Sequence, residues 1–324
     1  MPPTSGELVD GVWDADVAAI IDRLAQLEPA TMAQRGVSAV RASLESITRP
    51  LGPQMAAVTE MSAPGPHGPV PVRIYRPMVR AEDSTAPSLV WFHGGGMIMG
   101  SLDSFDRLAR DLAEATGAVI VNVDYRLAPE YRYPVGNDDA YAALEWAVDQ
   151  AESLGLDTSS MGVGGDSAGG GLAASTALRA RNTGGPALAQ QVMFYPGLER
   201  PVPERPSMQA HGDGPFLTIA DITWMKNLYL GDDPSRDDEY GTPALATELA
   251  GLPPAILATG LADPLYDGIE EYGARLAAAS VPTAVLRYPG LGHGFAMQAP
   301  GVARARAAIA EVGVLVAARF AGRS

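Results

Sequence analysis

The feature that most constrains the fold is an alternation of apolar runs and helical patterns, which begins near residue 70. Several of the runs are continuously apolar and rich in Val, Ile and Leu, as expected for strands buried on both faces of a parallel sheet. The predicted strands are 72–77, 88–94, 118–125, 161–165, 191–196, 254–260 and 283–289. Helical patterns fall at about 103–116, 138–153, 168–182, 268–280 and 301–319. This order predicts right-handed βαβ crossovers and an open, doubly wound α/β sheet.

Two segments do not follow this alternation. Residues 1–50 have a helical pattern, and residues 198–240 join a Pro-rich entry to an apolar and aromatic stretch. We expect both segments to form a helical cap over the sheet edge where the parallel strands end, because ligands bind at that edge. Residues 51–197 and 241–324 would then form the core. The alternative is that the two segments pack at the periphery and have no role in binding.

Composition excludes several classes of function. The chain has 38 acidic and 23 basic residues in 324, a net charge of −15, so no basic surface would meet nucleic-acid phosphates. It has no cysteine and only four scattered histidines, which argues against a metal site or a thiol nucleophile. The N-terminus lacks the basic start and apolar core of a secretory signal, and no apolar run is long enough for a membrane span. We therefore expect a soluble cytoplasmic protein that binds neither nucleic acid nor a membrane.

A serine lies at the turn from a predicted strand into a predicted helix. The segment Gly165-Asp-Ser-Ala-Gly169 fits the pattern Gly-x-Ser-x-Gly, which marks a nucleophile elbow in this context. Such a sharp turn presses backbone segments together, and glycines at its flanks remove the side chains that would clash. The hydroxyl of Ser167 is therefore predicted to be an exposed nucleophile. The free N–H of Ala168, at the start of the helix, would face the negative charge that develops there.

Three glycines follow another predicted strand, in the segment His93-Gly-Gly-Gly96. Such a loop lets backbone N–H groups approach a substrate oxygen closely, so Gly95 and Gly96 are predicted to form an oxyanion hole together with Ala168. His93 and Gly94 are expected to structure the loop. The alternative is a phosphate-binding turn, but neither nucleotide-binding glycine pattern is present here.

An acid and a base follow the last two predicted strands. Asp263 comes shortly after strand 254–260, and His293 lies in a glycine-rich loop after strand 283–289. The chain order Ser167, Asp263, His293 is the one used by hydrolases with a nucleophile elbow. Asp267 is a competing acid, and Asp263 is preferred because it lies closer to the strand end. Asp263 could also serve only as a helix N-cap.

Taken together, these motifs resemble the hormone-sensitive-lipase-like carboxylesterases of the α/β-hydrolase fold. The resemblance runs from about residue 70 to the end and includes a further block, Tyr125-Arg-Leu-Ala-Pro-Glu130. It implies a mostly parallel eight-stranded sheet with a helical cap, and carboxylester hydrolysis without a cofactor. Ser167 would be the nucleophile, His293 the base and Asp263 the residue that orients it. The resemblance favours short- to medium-chain acyl esters and is compatible with a homodimer.

The substrate pocket is the least constrained part of this interpretation. The residues proposed to contact substrate are Met97, Tyr195, Phe216, Leu217 and Trp224. Those in the cap segment could equally form the core of the cap itself. The competing functions are an amidase or deacetylase on the same triad, a small-molecule receptor that keeps the fold without turnover, and a lyase that uses only the oxyanion site.

Overall fold

An eight-stranded sheet forms the centre of the computed structural model, which describes residues 13–26, 31–47, 50–78 and 85–322. The strands are β1 (Met55–Ala63), β2 (Val70–Pro77), β3 (Ala86–Phe92), β4 (Val119–Val123), β5 (Leu156–Asp166), β6 (Gln191–Phe194), β7 (Ala255–Ala262) and β8 (Thr283–Gly292). Their spatial order is β1-β2-β4-β3-β5-β6-β7-β8. Strands β3 to β8 pair in parallel, whereas β2 pairs antiparallel with both β1 and β4. The predicted α/β fold with a mostly parallel eight-stranded sheet is confirmed.

The helices of the described chain flank this sheet or lie beyond its strand ends. They are α1 (Ala15–Leu24), α2 (Met32–Ser46), α3 (Asp106–Thr116), α4 (Val135–Asp149), α5 (Ala168–Thr183), α6 (Pro206–His211), α7 (Ile219–Leu230), α8 (Tyr266–Ala278) and α9 (Ala303–Ala321). Helix α3 packs against α9, and α4 packs against α5. All five residues of β4 are buried in succession, which requires cover on both faces of the sheet. None of the described helices is both long and apolar enough to cross a membrane.

Strand β1 was missing from the predicted strands. Only its two end residues, Met55 and Ala63, are buried, and the seven residues between them are exposed. It lies at the edge of the sheet, paired only with β2, so its sequence carries no continuous apolar run. The sequence pattern that identifies buried strands therefore could not reveal it.

The two segments assigned to the cap meet each other in the structure. The N–H of Met32, at the start of α2, donates to Asp221 Oδ1 in α7 at 2.9 Å, and the ring of Trp13 packs edge-on against Phe216. Arg41 of α2 donates to the carbonyl of Ile98, in the loop that follows the three glycines. These contacts support the proposed cap of residues 1–50 and 198–240. Parts of that assignment, residues 1–12, 27–30 and 48–49, lie outside the described residues.

Candidate active site

In each of the four predicted site motifs, one candidate residue comes directly after a strand. Ser167 follows the last residue of β5, Asp263 follows β7, His293 follows β8 and His93 follows β3. These strands are parallel, so their carboxyl ends lie at one edge of the sheet. Segments that are up to 200 residues apart in the chain are thereby brought together.

Three of these side chains form one hydrogen-bonded series. Ser167 Oγ lies 2.8 Å from His293 Nε2, and His293 Nδ1 lies 2.9 Å from Asp263 Oδ2. Asp263 is fully buried, and its other oxygen accepts the N–H of Leu265 at 2.8 Å. A carboxylate beside Nδ1 favours the tautomer with its proton on Nδ1, which leaves Nε2 free to accept the serine proton. The arrangement can therefore carry a proton away from the serine hydroxyl.

Asp267, the competing acid, takes no part in this series. Its Oδ2 accepts the N–H of Ser207 at 2.7 Å, and this bond joins α8 to α6. The structure therefore places Asp263 next to the imidazole and Asp267 at a contact between two helices.

Backbone strain is concentrated at the serine. Ser167 has φ 54° and ψ −120°, a conformation that costs free energy for a residue with a side chain. A Cβ atom on Gly165 would lie 2.6 Å from the carbonyl oxygen of Phe92, and one on Gly169 would lie 2.5 Å from that of His93. Both distances are well below van der Waals contact, so only glycine fits at either side of the turn. The serine side chain is thus held at the tip of a tightly packed corner.

The glycine loop and the start of α5 present free N–H groups beside the serine. Gly95 and Gly96 adopt positive φ values of 115° and 64°, and their N–H groups have no acceptor within the described chain. Ala168 is the first residue of α5, where an N–H has no partner inside the helix. Gly96, Ala168 and Ser167 line the same cavity, so the N–H groups of Gly96 and Ala168 can face a substrate oxygen near the hydroxyl; Gly95 lies outside that lining.

His93 and Gly94 lie inside the loop rather than in the cavity lining. The fully buried His93 ring is stacked between Phe105 and Tyr125, and its Nδ1 donates to the carbonyl of Gly94 at 2.7 Å. Burial lowers the pKa of His93 to about 4, so the ring is neutral at pH 7. The N–H of Gly94 donates to Asp166 Oδ1 at 3.0 Å. These contacts support the predicted structural role of both residues.

The cavity in front of Ser167 is mostly apolar, as ligand sites commonly are. Its lining includes two of the predicted substrate contacts, Met97 and Leu217, together with Met225 and Tyr229 of α7. Asn137, Glu199 and Lys226 also line it and were not predicted. Lys226 is the only lysine of the chain, but this fact alone does not place it in a pocket, and no motif marks the other two.

The other three predicted substrate contacts lie outside the cavity lining. Tyr195 is fully buried, and its ring packs against the ring of His293 with 5.0 Å between centroids. Phe216 packs against Trp13, and Trp224 packs against the hydrophobic core. Tyr195 thus contacts the imidazole of the site rather than the space beside the serine.

Comparison with known proteins identifies the family of the chain. Residues 89–297 match a family model described as the alpha/beta hydrolase fold. Esterase LipI of Mycobacterium tuberculosis is 39% identical over 262 residues, which cover 80% of this chain and 81% of that protein. Carboxylesterase NlhH of the same species is 36% identical over 299 residues, which cover 90% and 93%. The structure of a hyperthermophilic esterase from the archaeon Pyrobaculum calidifontis superimposes with a TM-score of 0.87 at 32% identity, covering 97% of this chain and 100% of that one. The chain therefore belongs to the hormone-sensitive-lipase-like carboxylesterase family of the α/β-hydrolase fold.

Proposed function

We propose that this protein is a serine carboxylesterase that hydrolyses short- to medium-chain acyl esters through Ser167, His293 and Asp263. The observation that carries the proposal is the hydrogen-bonded series from Ser167 Oγ to His293 to Asp263, at 2.8 and 2.9 Å. Both distances lie within the reach required for a nucleophile, its base and the group that orients the base. The names of the relatives, which are esterases and carboxylesterases, support the same reaction.

In the first half of the reaction, Ser167 Oγ attacks the ester carbonyl carbon as His293 Nε2 takes its proton. The carbonyl oxygen becomes an oxyanion and accepts hydrogen bonds from the N–H groups of Gly95, Gly96 and Ala168. Each such donor typically lowers the barrier by ~3–4 kcal/mol. The imidazolium then gives its proton to the leaving oxygen, and the alcohol departs from an acyl-enzyme.

In the second half, a water molecule replaces the alcohol. The water oxygen attacks the acyl carbon as His293 Nε2 takes a proton from the water. The same N–H groups stabilise the oxyanion. The imidazolium returns the proton to Ser167 Oγ as the acid is released. Asp263 remains ionised throughout and stabilises the imidazolium in both halves.

A hydrogen-bonded wall limits the cavity on the side of α4. Asn137 Nδ2 donates to Ser175 Oγ and to the carbonyl of Tyr240, both at 2.9 Å, and Tyr229 donates its hydroxyl proton to Asn137 Oδ1. Asn137 and Tyr229 are both buried, so a long acyl chain would have to break these bonds to pass. This wall supports a preference for short and medium chains.

The proposal is tested by steady-state kinetics with p-nitrophenyl esters of increasing acyl length and with the matching p-nitroanilides. Covalent labelling by an organophosphate is followed in parallel by peptide mass spectrometry. We expect esters to be cleaved faster than anilides, and inactivation to track modification of Ser167. Faster cleavage of the anilides would favour the amidase alternative, and full activity after complete labelling of Ser167 would exclude the acyl-enzyme.

The matched variants are Ser167→Ala and Ser153→Ala, since Ser153 is an exposed serine that precedes β5, at the opposite end of the strand from Ser167. Loss of the nucleophile is expected to lower kcat by ~10³–10⁶, because the members of a triad act as a unit. The Ser153 variant is expected to behave as the wild type. Near-normal turnover by a folded Ser167→Ala protein would reject the mechanism.

A further inference from the structure

Lys226 is the only lysine of the chain, and it lines the cavity that contains Ser167. Its ammonium group has three N–H donors. The one acceptor recorded for them within the described chain is the carbonyl of Gly197, at a long distance of 3.5 Å. No carboxylate oxygen of the described residues lies within 4.0 Å of Lys226 Nζ, the longest distance at which the two would form an ion pair. The ammonium therefore faces the cavity region with most of its bonding capacity unused.

Glu199, the other charged side chain in the lining, is already paired. Its Oε1 lies 2.9 Å from Arg205 Nε, and its Oε2 lies 3.0 Å from a terminal nitrogen of the same guanidinium. The same guanidinium also lies 2.8 Å from Glu271 Oε2, so Arg205 offsets part of the negative charge of Glu199. Of the two charged side chains in the lining, Glu199 has an ion-pair partner, whereas Lys226 has none among the described residues.

An ammonium group in apolar surroundings is costly unless an anion or several acceptors compensate it. Lys226 is partly buried, and its neighbours in the cavity lining include Leu217, Ile222 and Met225. Burial lowers the pKa of Lys226 to about 8, so most of the lysine is still charged at pH 7. A substrate that brings a carboxylate would supply the missing partner.

The position of the ammonium suits a contact with substrate. Gly197, whose carbonyl faces Lys226, donates its own N–H to the carbonyl of Ser167 at 2.8 Å. The ammonium therefore lies on the cavity wall adjoining the nucleophile elbow. We therefore expect a substrate group that is only a few bonds from the scissile carbonyl to reach the ammonium.

We propose that Lys226 binds a carboxylate carried by the substrate, which makes half-esters of short dicarboxylic acids, or acyl esters of short hydroxy acids, the preferred substrates. The inference rests on the proposed ester hydrolysis and assigns the substrate class at the same site. The two ester types differ in whether the carboxylate belongs to the acyl or to the alcohol part, and the substrates chosen below distinguish them.

The test compares substrates that differ only in charge. Ethyl hydrogen glutarate is paired with ethyl glutaramate for the acyl part, and acetoxyacetate with acetoxyacetamide for the alcohol part. The measured quantity is the ratio of kcat/KM for the carboxylate to that for the carboxamide, within each pair. We expect a ratio of at least ~10 for one pair in the wild type, since hydrogen bonds to charged groups are the stronger ones.

Two variants separate local binding from long-range charge. Lys226→Met removes the ammonium and keeps an apolar chain of similar length, and it is expected to bring the ratio close to 1. Arg23→Met makes the same change in net charge at an exposed residue of α1 and should keep the wild-type ratio. Lys226→Arg retains the positive charge and should keep most of the carboxylate-to-carboxamide ratio.

The outcomes distinguish this inference from the function on which it rests. A wild type that cleaves ethyl glutaramate or acetoxyacetamide but shows no carboxylate preference in either pair would overturn the role of Lys226 and leave the esterase intact. A carboxylate preference that survives in a folded Lys226→Met protein would also overturn the role of Lys226 and leave the esterase intact. A wild type that cleaves neither these substrates nor p-nitrophenyl esters would refute the proposed function itself, and the inference with it.

Discussion

Asp166 and Gly94 join the two loops that frame the serine: the N–H of Gly94 donates to Asp166 Oδ1 at 3.0 Å. Asp166 directly precedes Ser167, and Gly94 directly precedes Gly95, whose N–H we assign to the oxyanion hole. The bond fixes the glycine loop relative to the nucleophile elbow. Two buried titratable groups lie at this junction: Asp166, which accepts the bond, and His93, which directly precedes Gly94.

These two groups couple stability to pH in opposite directions. Burial raises the pKa of Asp166 to about 7. The contribution of Asp166 to the free energy of unfolding is therefore present at low pH and is lost as pH rises towards 7. Burial lowers the pKa of His93 to about 4, so its contribution is present above the unfolded pKa of 6.5 and is lost as pH falls towards 4. Between about pH 4 and 6.5, the changes in unfolding free energy that come from Asp166 and from His93 have opposite signs and cancel.

Asp166→Asn is therefore expected to expose the effect of His93. From pH 4.5 to 6.5, the unfolding free energy of the variant should rise with pH more steeply than that of the wild type, by up to ~1.4 kcal/mol per pH unit. Urea unfolding of both proteins at several pH values measures this difference. Asp149→Asn, at an exposed position, controls for loss of one carboxyl group. A wild-type-to-variant difference that stays constant with pH would contradict the linkage.

Asp263→Asn should lower kcat by ~10⁴, because an amide that donates to Nδ1 favours the tautomer in which Nε2 carries the proton. His293 could then no longer accept the proton of Ser167. Asp267→Asn is the matched control, since that carboxylate accepts the N–H of Ser207 and not the imidazole. Kinetics of the two variants on one ester should differ by orders of magnitude. Equal losses in both would mean that the acid has been assigned incorrectly.

Gly169→Ala should destabilise the fold by about 3 kcal/mol or more, since the new methyl group would meet backbone that cannot move aside easily. Its Cβ would overlap the carbonyl oxygens of Phe92 and His93. Gly301→Ala is the control, because its nearest neighbour, Gln298 O, would lie 3.9 Å from the added carbon. Thermal unfolding of both variants provides the comparison, and similar melting temperatures would show that the corner tolerates a side chain.

The sequence was informative where one physical requirement fixes one residue type. Continuous apolar runs predict the buried strands, and the rule that sites follow parallel strands singles out Ser167, Asp263 and His293, which follow β5, β7 and β8. The pattern could not identify β1, which has exposed residues along most of its length. An apolar residue serves equally well in a core or in a cavity, so sequence could not separate Leu217, which lines the cavity, from Trp224, which does not.

The predicted role of Lys226 makes substrate selectivity depend on pH. Its lowered pKa of about 8 means that the ammonium persists at pH 7 and is lost as pH rises through 8. Burial is the main cause; nearby Arg200 also lowers the pKa, whereas Asp237 and Glu199 raise it. The carboxylate-to-carboxamide ratio of kcat/KM should therefore be constant from pH 6.5 to 7 and fall towards 1 by about pH 9.5. Measurement of this ratio across the range, corrected for spontaneous hydrolysis, checks the prediction, and a ratio that remains unchanged at pH 9.5 would show that the selectivity does not come from a lysine.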